Sequence, residues 1–367
     1  MEILYFLAED ETYMYKWQEV HIFDEFRHHG IQITLFNPLK YESYDKANVA
    51  LLKSIKNNKY DLFMSAHTSH DLYGDTLVEI GKVGVPRLLL LFDNLLTSYR
   101  HLEASKYYDL AMLFNKDNNP IYKKYGCKCI TSGYAANPYF FTNRWIKEIH
   151  RTCFVGTPYG TRSIPINMLV NNNINIDVYG KPIEGNTQPG RQLSIKEKIE
   201  TAYKLLNNKA SRKVLLAAVK CYVKPNEKLN INSQYLHLNE SINLDDMNEV
   251  YSNYSLSLSY PACRNTGALS NPLNLVHLRN FEIPMCYGLQ ISTYHGELAE
   301  CFEEGKEIVF YANENDFRDK VKYYTNVKHE LEVKKMKMAA RKRAEMEYTW
   351  FKRFKPVFNE MGIRVIE

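Results

Sequence analysis

The chain has 367 residues, more than one hydrophobic core usually organises, so two domains of roughly 150–200 residues are expected. Hydrophobic residues make up 45% and charged residues 24%, as in an ordinary soluble globular protein. The net charge of +5 is too small to argue for nucleic-acid binding, and no apolar run approaches the roughly 18 residues that a membrane span needs.

The first half of the chain alternates apolar runs with helical segments, which is the pattern of βα units. Runs such as RLLLLF (87–92) are apolar throughout, as parallel strands buried on both faces are. Strands are predicted at Ile3–Leu7, Ile31–Phe36, Asp61–Ser65, Arg87–Phe92, Leu110–Phe114 and Lys128–Thr131. Helices are predicted at 12–29, 45–58, 74–84, 98–107 and 119–125. The first domain is therefore expected to be a doubly wound parallel sheet.

A second α/β series begins near residue 150, after the pattern breaks over 137–149. Its predicted strands are 153–156, 174–180, 235–238 and 255–260, and its predicted helices are 163–170, 199–207, 244–251 and 270–288. The type of the apolar stretch KVLLAAVKCYV (213–223) stays open. We expect two tandem Rossmann-like domains, 1–145 and 146–345, followed by a helical segment, 346–367, that packs back on the first domain across the junction.

The cysteine residues and the N-terminal sequence indicate the cellular compartment in which the protein is expected. The seven cysteines are odd in number and lie mostly in apolar patterns, which predicts reduced, buried thiols in a cytoplasmic protein. Cys127 and Cys129 lack a second pair at zinc spacing, so no metal site is expected. The N-terminus enters a strand directly, without the basic region or cleavage site of a signal peptide.

The stretch 261–288 is the most informative for function. A helix over 270–288 would place Asn274, Arg279 and Glu282 on much the same side. The preceding loop contains Arg264, and its backbone donors and the helix N-terminus could together hold a diphosphate. The Glu282 carboxylate could accept hydrogen bonds from a ribose. Alternatively, Arg279 and Glu282 form a structural ion pair.

Basic residues concentrate between Lys320 and Lys355, including Lys334, Lys337 and Arg341. One interpretation is the solvated face of a long helix. The other is a basic strip that attracts anionic lipid headgroups or an anionic acceptor, with peripheral contact at the inner face of the membrane.

The stretch LRNFEIPMCYGLQISTYHGELAECFEEGKEIVFYANENDF (278–317) resembles the C-terminal segment of GT-B glycosyltransferases of the CgeB-like branch, within the group 1, family 4-like enzymes. The matching features are Arg279-Asn-Phe-Glu282, Gly288 and the GKEIV segment at 305–309. Upstream, CFVGTPYGTR (153–162) resembles the start of the family's second domain. FDN (92–94) and the stretch 113–141 resemble the end of its first domain.

This resemblance implies a sugar nucleotide held between two Rossmann-like domains, mostly by the C-terminal one, with the acceptor on the N-terminal side. Glu282 would hold the ribose hydroxyls. The residues implied in donor binding are Gly156, Thr157, Arg162 and Arg279 near the phosphates, Tyr179 and Gly180 near the base, and Arg264, Asn274 and His277. Asn274 stands where related retaining enzymes carry a glutamate, and His277 stands where CgeB-like chains often carry an asparagine.

The expected activity is a metal-independent, retaining transfer from a nucleotide-sugar donor to a glycan, glycoconjugate or lipid-linked acceptor in cell-surface polysaccharide synthesis. Arg279 would oppose the charge that develops on the departing diphosphate, without a cofactor. An inverting enzyme would need a base, for which His67 and Asp93 are the candidates because they follow strand ends. The alternative is a non-catalytic GT-B-fold protein of spore or surface glycan assembly.

Overall fold

The computed structural model describes residues 1–8, 13–66, 71–92, 94–115, 119–181 and 208–365, together with residues 194, 196, 199, 203 and 206. The chain forms two compact units. The first consists of Met1–Phe140 together with Thr349–Glu367, and the second is Phe141–Tyr348. The chain thus leaves the first unit after Phe140 and returns to it at Thr349.

The first unit is built on a sheet of six parallel strands in the order β2-β1-β3-β4-β5-β6. The strands are β1 Glu2–Phe6, β2 Gln32–Phe36, β3 Leu62–Ser65, β4 Arg87–Leu91, β5 Leu110–Leu113 and β6 Cys129–Thr131. β3 and β5 are buried along their whole length, in agreement with sequences that are apolar at every position except Ser65.

The helices of the first unit connect and cover these strands. They are α1 Tyr13–Gln18 and α2 Asp24–His28, joined by a π-helical turn, then α3 Tyr44–Asn57, α4 Gly74–Lys82, α5 Asn94–Ser105 and α6 Asn119–Lys124. The Ser43 hydroxyl accepts from Lys46 N (3.2 Å) and so caps the start of α3. Leu51 and Ile55 of α3 then join a core that includes Leu4 and Phe63 of the sheet.

The second unit also contains six parallel strands, β7 Ile149–Val155, β8 Ile176–Tyr179, β9 Leu236–Asn239, β10 Tyr254–Leu258, β11 Gln290–Thr293 and β12 Val309–Tyr311. Their order is β12-β11-β10-β7-β8-β9. The connections therefore run in one direction from β7 to β9 and in the other from β10 to β12. This is the Rossmann arrangement, and its topological switch point lies between the neighbouring strands β7 and β10.

The helices of the second unit are α7 Ser163–Asn171, α8 Lys209–Val223, α9 Leu244–Asn253, α10 Arg279–Met285, α11 Gly296–Cys301, α12 Glu314–Tyr324 and α13 Glu330–Glu347. The first unit's last helix is α14, Trp350–Glu360. Asn243 caps α9 by accepting from Asp246 N (2.8 Å). The core of the second unit combines Leu256 and Ile291 of the sheet with Ile166 of α7 and Phe317 of α12.

The predicted fold class, an α/β protein with two Rossmann-like sheets and a C-terminal helix, is confirmed. The predicted helix over 270–288 is wrong, because only Arg279–Met285 is helical and Asn274 pairs with Ala262 in an isolated antiparallel bridge. The undecided stretch 213–223 is helical, as part of α8. The helix predicted over 199–207 lies largely outside the described residues.

The basic residues of 320–355 do not form one exposed strip. Lys337 is buried, with Nζ 3.0 Å from both carboxylate oxygens of Glu148. Burial lowers the pKa of Lys337 to about 8. Arg341 is also buried and donates to the backbone oxygens of Phe141 and Met285. These two charges are internal, so the strip as predicted from the sequence is wrong in part.

Candidate functional site

Most of the predicted donor-binding residues come together at the switch point of the second unit. Gly156 and Thr157 follow β7 directly, and the loop after β10 supplies Arg264. α10, with Arg279, follows that loop. In open α/β sheets, ligands bind in the crevice outside the carboxyl ends of the strands at such a point. The fold therefore places these residues where a nucleotide site would be expected.

Two glycines let the chain turn tightly at the ends of β7 and β8. Gly156 has φ 140° and Gly180 has φ 153°, conformations that residues with side chains rarely adopt. A Cβ on Gly180 would lie 2.4 Å from Gly156 O, and one on Gly156 would lie 2.7 Å from Arg279 Nη1. Gly156 N donates to Tyr179 O (2.9 Å). The backbone at Gly156 is thus fixed and closely approached by a guanidinium group.

Arg162 and Arg279 bring two positive charges to this turn. Arg162 ends a short 3₁₀ helix, Gly160–Arg162, and its guanidinium carbon lies 4.6 Å from the centre of the Tyr159 ring. Burial lowers the pKa of Arg162, and the nearby charge of Arg279 lowers it further. Arg279 donates to Val155 O at the end of β7. A bound anion would relieve the repulsion between the two cations.

Arg264 lies in a strained loop. It begins the 3₁₀ helix Arg264–Ala268 with φ 49°, a left-handed conformation that is uncommon for a residue other than glycine. Its carbonyl accepts from the Thr161 hydroxyl (3.0 Å), which ties this loop to the turn after β7. The Arg264 side chain is exposed.

Asn274 and His277 lie before α10 rather than within it. Cys263 N donates to Leu273 O (2.7 Å), and Leu275 N donates to Pro261 O (2.9 Å), so the segment doubles back on itself. His277 Nε2 donates to Pro261 O (3.3 Å). Burial, followed by the charge of Arg162, lowers the pKa of His277 to about 4. His277 is therefore a neutral ring beside the two arginines at physiological pH.

Glu282 lies inside α10 and its side chain is only 1% exposed. Its Oε2 is 3.7 Å from Nε of Arg279, whose side chain is 29% exposed. Tyr251 and Cys286 interact electrostatically with the same carboxylate. The structural ion pair considered from the sequence is present, and the role of Glu282 toward a ribose stays a prediction.

Tyr179 is half-buried at the end of β8, and its hydroxyl lies 2.9 Å from that of Tyr254. Gly180 N donates to Asn239 O at the end of β9 (3.2 Å). The contact with Tyr254 directs the Tyr179 hydroxyl toward the sheet, so a nucleotide base at this position would contact the Tyr179 ring. The two base candidates of the first unit, His67 and Asp93, lie outside the described residues.

Sequence reasoning missed Tyr159 and His295. Tyr159 supports Arg162 through its ring and stands three residues before it, in a segment that the sequence already associated with phosphates. His295 precedes α11, and burial lowers its pKa. It interacts with His277 and with the backbone of Asn274, contacts that no sequence spacing could indicate.

Within the described ranges, no group of three or more His, Cys, Asp or Glu side chains is placed to hold a metal ion. No helix in the part of the chain that the structure describes is both long and apolar enough to cross a bilayer.

Comparison with known proteins agrees with this fold. Residues 208–359 match the family model described as glycosyl transferase-like. No curated protein sequence matches the chain. Among solved structures, HepE of Anabaena in complex with UDP-glucose aligns with a TM-score of 0.56 at 10% identity, covering 99% of both chains.

Two further structures align over nearly the whole chain. A glycosyltransferase from Rickettsia africae has a TM-score of 0.56 at 10% identity and covers 98% of this chain and 97% of its own. Sucrose-phosphate synthase from Thermosynechococcus elongatus has a TM-score of 0.53 at 9% identity, with coverage of 98% and 99%.

The chain thus has the GT-B fold, and residues 208–359 form a glycosyl transferase-like region within it. The predicted GT-B fold is confirmed, and the predicted resemblance of the C-terminal half to glycosyltransferases agrees with the family match over residues 208–359. The narrower assignment to the CgeB-like branch stays a prediction.

Proposed function

We propose that the protein transfers a hexose or related sugar from a nucleotide-sugar donor to a glycan, glycoconjugate or lipid-linked acceptor in cell-surface polysaccharide synthesis. The glycosyl transferase-like region and the GT-B fold support the reaction class. The structure of HepE, which aligns over nearly the whole of both chains, contains UDP-glucose. This likeness favours a uridine nucleotide as the donor.

The convergence of Arg162 and Arg279 on the turn after β7 carries this proposal. Arg162 comes from the 3₁₀ helix Gly160–Arg162 and Arg279 from α10. Their guanidinium groups lie beside the backbone of Thr157 and Gly156, respectively. A diphosphate placed there would receive donors from both groups. When the glycosidic bond to the diphosphate breaks, negative charge grows on the leaving phosphate, and the two cations stabilise it.

The remaining roles are those that the family resemblance implies. Glu282 would accept hydrogen bonds from the ribose hydroxyls once its ion pair with Arg279 shifts. Tyr179 and Gly180 would lie beside the nucleotide base. Arg264, Asn274 and His277 would face the sugar and the diphosphate. We propose a retaining, metal-independent reaction, which needs no general base on the acceptor side. Should the reaction invert, His67 or Asp93 would deprotonate the acceptor.

Titration calorimetry with UDP and UDP-glucose tests the proposal. The wild type should bind both, and Arg162→Ala should weaken UDP binding more than about tenfold, or about 1.4 kcal/mol. Arg151→Ala is the matched control, because Arg151 lies in the same unit and pairs with Asp177 (3.0 Å) away from the turn. Equal affinities for the wild type and Arg162→Ala would remove Arg162 from the site.

Metal independence is tested in a separate assay, which follows the nucleotide released from UDP-glucose in the presence of excess EDTA. Activity should persist, because the two guanidinium groups supply the positive charge that a divalent cation would otherwise provide. Loss of turnover on chelation, with recovery on addition of manganese, would contradict this part of the proposal.

A non-catalytic GT-B-fold protein of spore or surface glycan assembly is the competing function. The asparagine at position 274, held in a bridge with Ala262, and the buried carboxylate of Glu282 favour it. Nucleotide binding without any turnover across UDP-, GDP- and dTDP-sugars would support this alternative.

We propose that the protein acts in the cytoplasm, at the inner face of the membrane, where a lipid-linked acceptor would be available. No nucleic acid is expected as a partner. The exposed basic residues of α13, such as Lys335 and Lys342, would add to attraction toward anionic lipids.

A further inference from the structure

Helix α8 exposes an apolar surface that the donor site does not use. Leu216, Val219, Tyr222 and Val223 lie toward its C-terminal end, and their exposed fractions range from 56% to 88%. The opposite side of the helix is buried through Ala210, Ala217 and Cys221. α8 packs by that side against the 3₁₀ helix that begins at Arg264.

The exposed residues form a continuous helical face. Arg212, Leu216, Val219 and Val223 follow the spacing i, i+4, i+7 and i+11, which brings them to one side of the helix. Tyr222 lies beside them. Isolated exposed apolar side chains need no explanation, but four adjacent ones on one helix end do.

Positive charge surrounds this apolar face. Between residues 209 and 226 the sequence contains Lys209, Arg212, Lys213, Lys220 and Lys224 and no Asp or Glu. Lys213 and Lys220 donate to Asn271 Oδ1 (3.2 Å) and Ala268 O (2.6 Å), so both lie along the side that joins α8 to the neighbouring loop. Arg212 and Lys224 are exposed near the two ends of the apolar face.

We infer that this α8 surface, made of Arg212, Leu216, Val219, Tyr222, Val223 and Lys224, binds the surface of an anionic lipid bilayer. An apolar helix face with a basic border lies in the interfacial plane, where its apolar side chains enter the acyl boundary and its cations meet lipid phosphates. A second copy of the chain is a poor occupant, because the same basic border would face itself.

The inference deepens the proposed function and rests on it for its biological purpose, because docking here would bring the Arg264 loop toward lipid-linked acceptors. Its test does not depend on that function, since vesicle binding needs no sugar donor. If UDP does not bind but vesicles do, the proposed function fails and this inference stands.

Flotation of the full chain with vesicles tests the inference. Vesicles in which about a third of the lipid is phosphatidylglycerol should bind the protein, and phosphatidylcholine vesicles should bind it about tenfold less. The double variants Val219→Ser/Val223→Ser and Arg212→Gln/Lys224→Gln should each reduce binding about tenfold, while affinity for UDP stays unchanged. Val49→Ser in α3, where Val49 is 69% exposed, is the matched control and should bind as the wild type does.

A second readout places the surface against the lipid directly. The fluorescence of Tyr222→Trp should be quenched by brominated phosphatidylglycerol, and quenching should weaken as salt is added. The inference is overturned if anionic vesicles do not bind the wild type, or if both double variants bind as it does. It is also overturned if sedimentation shows a dimer that Val219→Ser/Val223→Ser dissociates.

Discussion

The Arg279–Glu282 ion pair lies in a largely buried environment, and this burial determines how each of the two side chains can act. A carboxylate that is 1% exposed loses its hydration, and the guanidinium 3.7 Å away offsets part of that cost. Arg279 is 29% exposed and contacts the turn after β7, so it can respond to a ligand there. We propose that Glu282 either accepts hydrogen bonds from the ribose or orients Arg279; the alternative is that the pair only stabilises the fold.

Glu282→Gln is expected to weaken UDP binding more than about tenfold, about 1.4 kcal/mol, while the variant stays folded. The amide keeps the side-chain volume but removes the charge that holds Arg279. Calorimetry measures the affinity, and thermal unfolding measures the stability. Glu307→Gln is the matched control, because Glu307 is also buried and also paired with an arginine, Arg343, at 3.3 Å. If both variants bind UDP equally well, the Arg279–Glu282 pair is purely structural.

His277 should make stability depend on pH. Its pKa is lowered from 6.5 to about 4, so the unfolded chain binds the proton more readily than the folded one. The contribution to stability is complete above about pH 6.5 and is lost as pH falls toward 4. The free energies of unfolding of the wild type and of His277→Gln, measured with urea, should therefore diverge between pH 6.5 and 4. A ring that titrates near pH 6.5 in the folded protein, measured by NMR, would contradict this.

At the scale of elements, α14 is attached to the first unit by a buried carboxylate. Glu25 of α2 accepts from Trp350 N (3.0 Å) and Phe351 N (2.7 Å), the first two amides of the helix. The Phe26 ring meets that of Phe354 edge-on, with centroids 4.9 Å apart. Burial raises the pKa of Glu25 to about 7, although the two amides act in the opposite direction.

Glu25→Gln should change the pH dependence of stability in the opposite sense to His277→Gln. Because the folded pKa of Glu25 is raised from 4.5 to about 7, its contribution is complete below about pH 4.5 and is lost as pH rises through 7. The wild type should therefore lose stability relative to Glu25→Gln between these values, as measured by urea unfolding. A constant difference between the two proteins from pH 4.5 to 8 would refute the assignment.

At the scale of the molecule, the first unit is built from two distant parts of the sequence. α14 supplies the buried side chains of Trp350, Phe354, Val357 and Phe358 to it, although the second unit lies between them in the sequence. The second unit, in contrast, is a continuous stretch of chain with its own six-stranded sheet.

A chain that ends at Tyr348 should therefore lose the first unit selectively. Without α14, the buried side chains of Glu25 and Phe26, which contact this helix, would be exposed to water. Hydrogen exchange followed by mass spectrometry should show lost protection in β1–β6 and retained protection in β7–β12. A chain that ends at Gly362 keeps α14 and should exchange as the full chain does. Equal loss of protection in both units would show that they do not fold separately.

The sequence by itself determined the alternation of strands and helices and the class of fold. Strands such as β4 are buried and parallel, so they read as unbroken apolar runs, and their predicted bounds differ little from those observed. The family resemblance also predicted that Gly156, Arg162 and Arg279 lie near one another, although they are far apart in the chain, and the structure brings them to one turn.

Only the tertiary structure decided where α10 begins, what type α8 has, and which cations are buried. Pairing of Ala262 with Asn274 draws residues 261–275 into a returning segment, and that long-range contact outweighs local helical preference. The apolar run of α8 lacks a clear period because both of its sides carry apolar residues, one buried and one exposed. Lys337 becomes internal because Glu148, from the other end of the second unit, lies beside it. Such partners are set by packing between distant segments, which residue spacing does not encode.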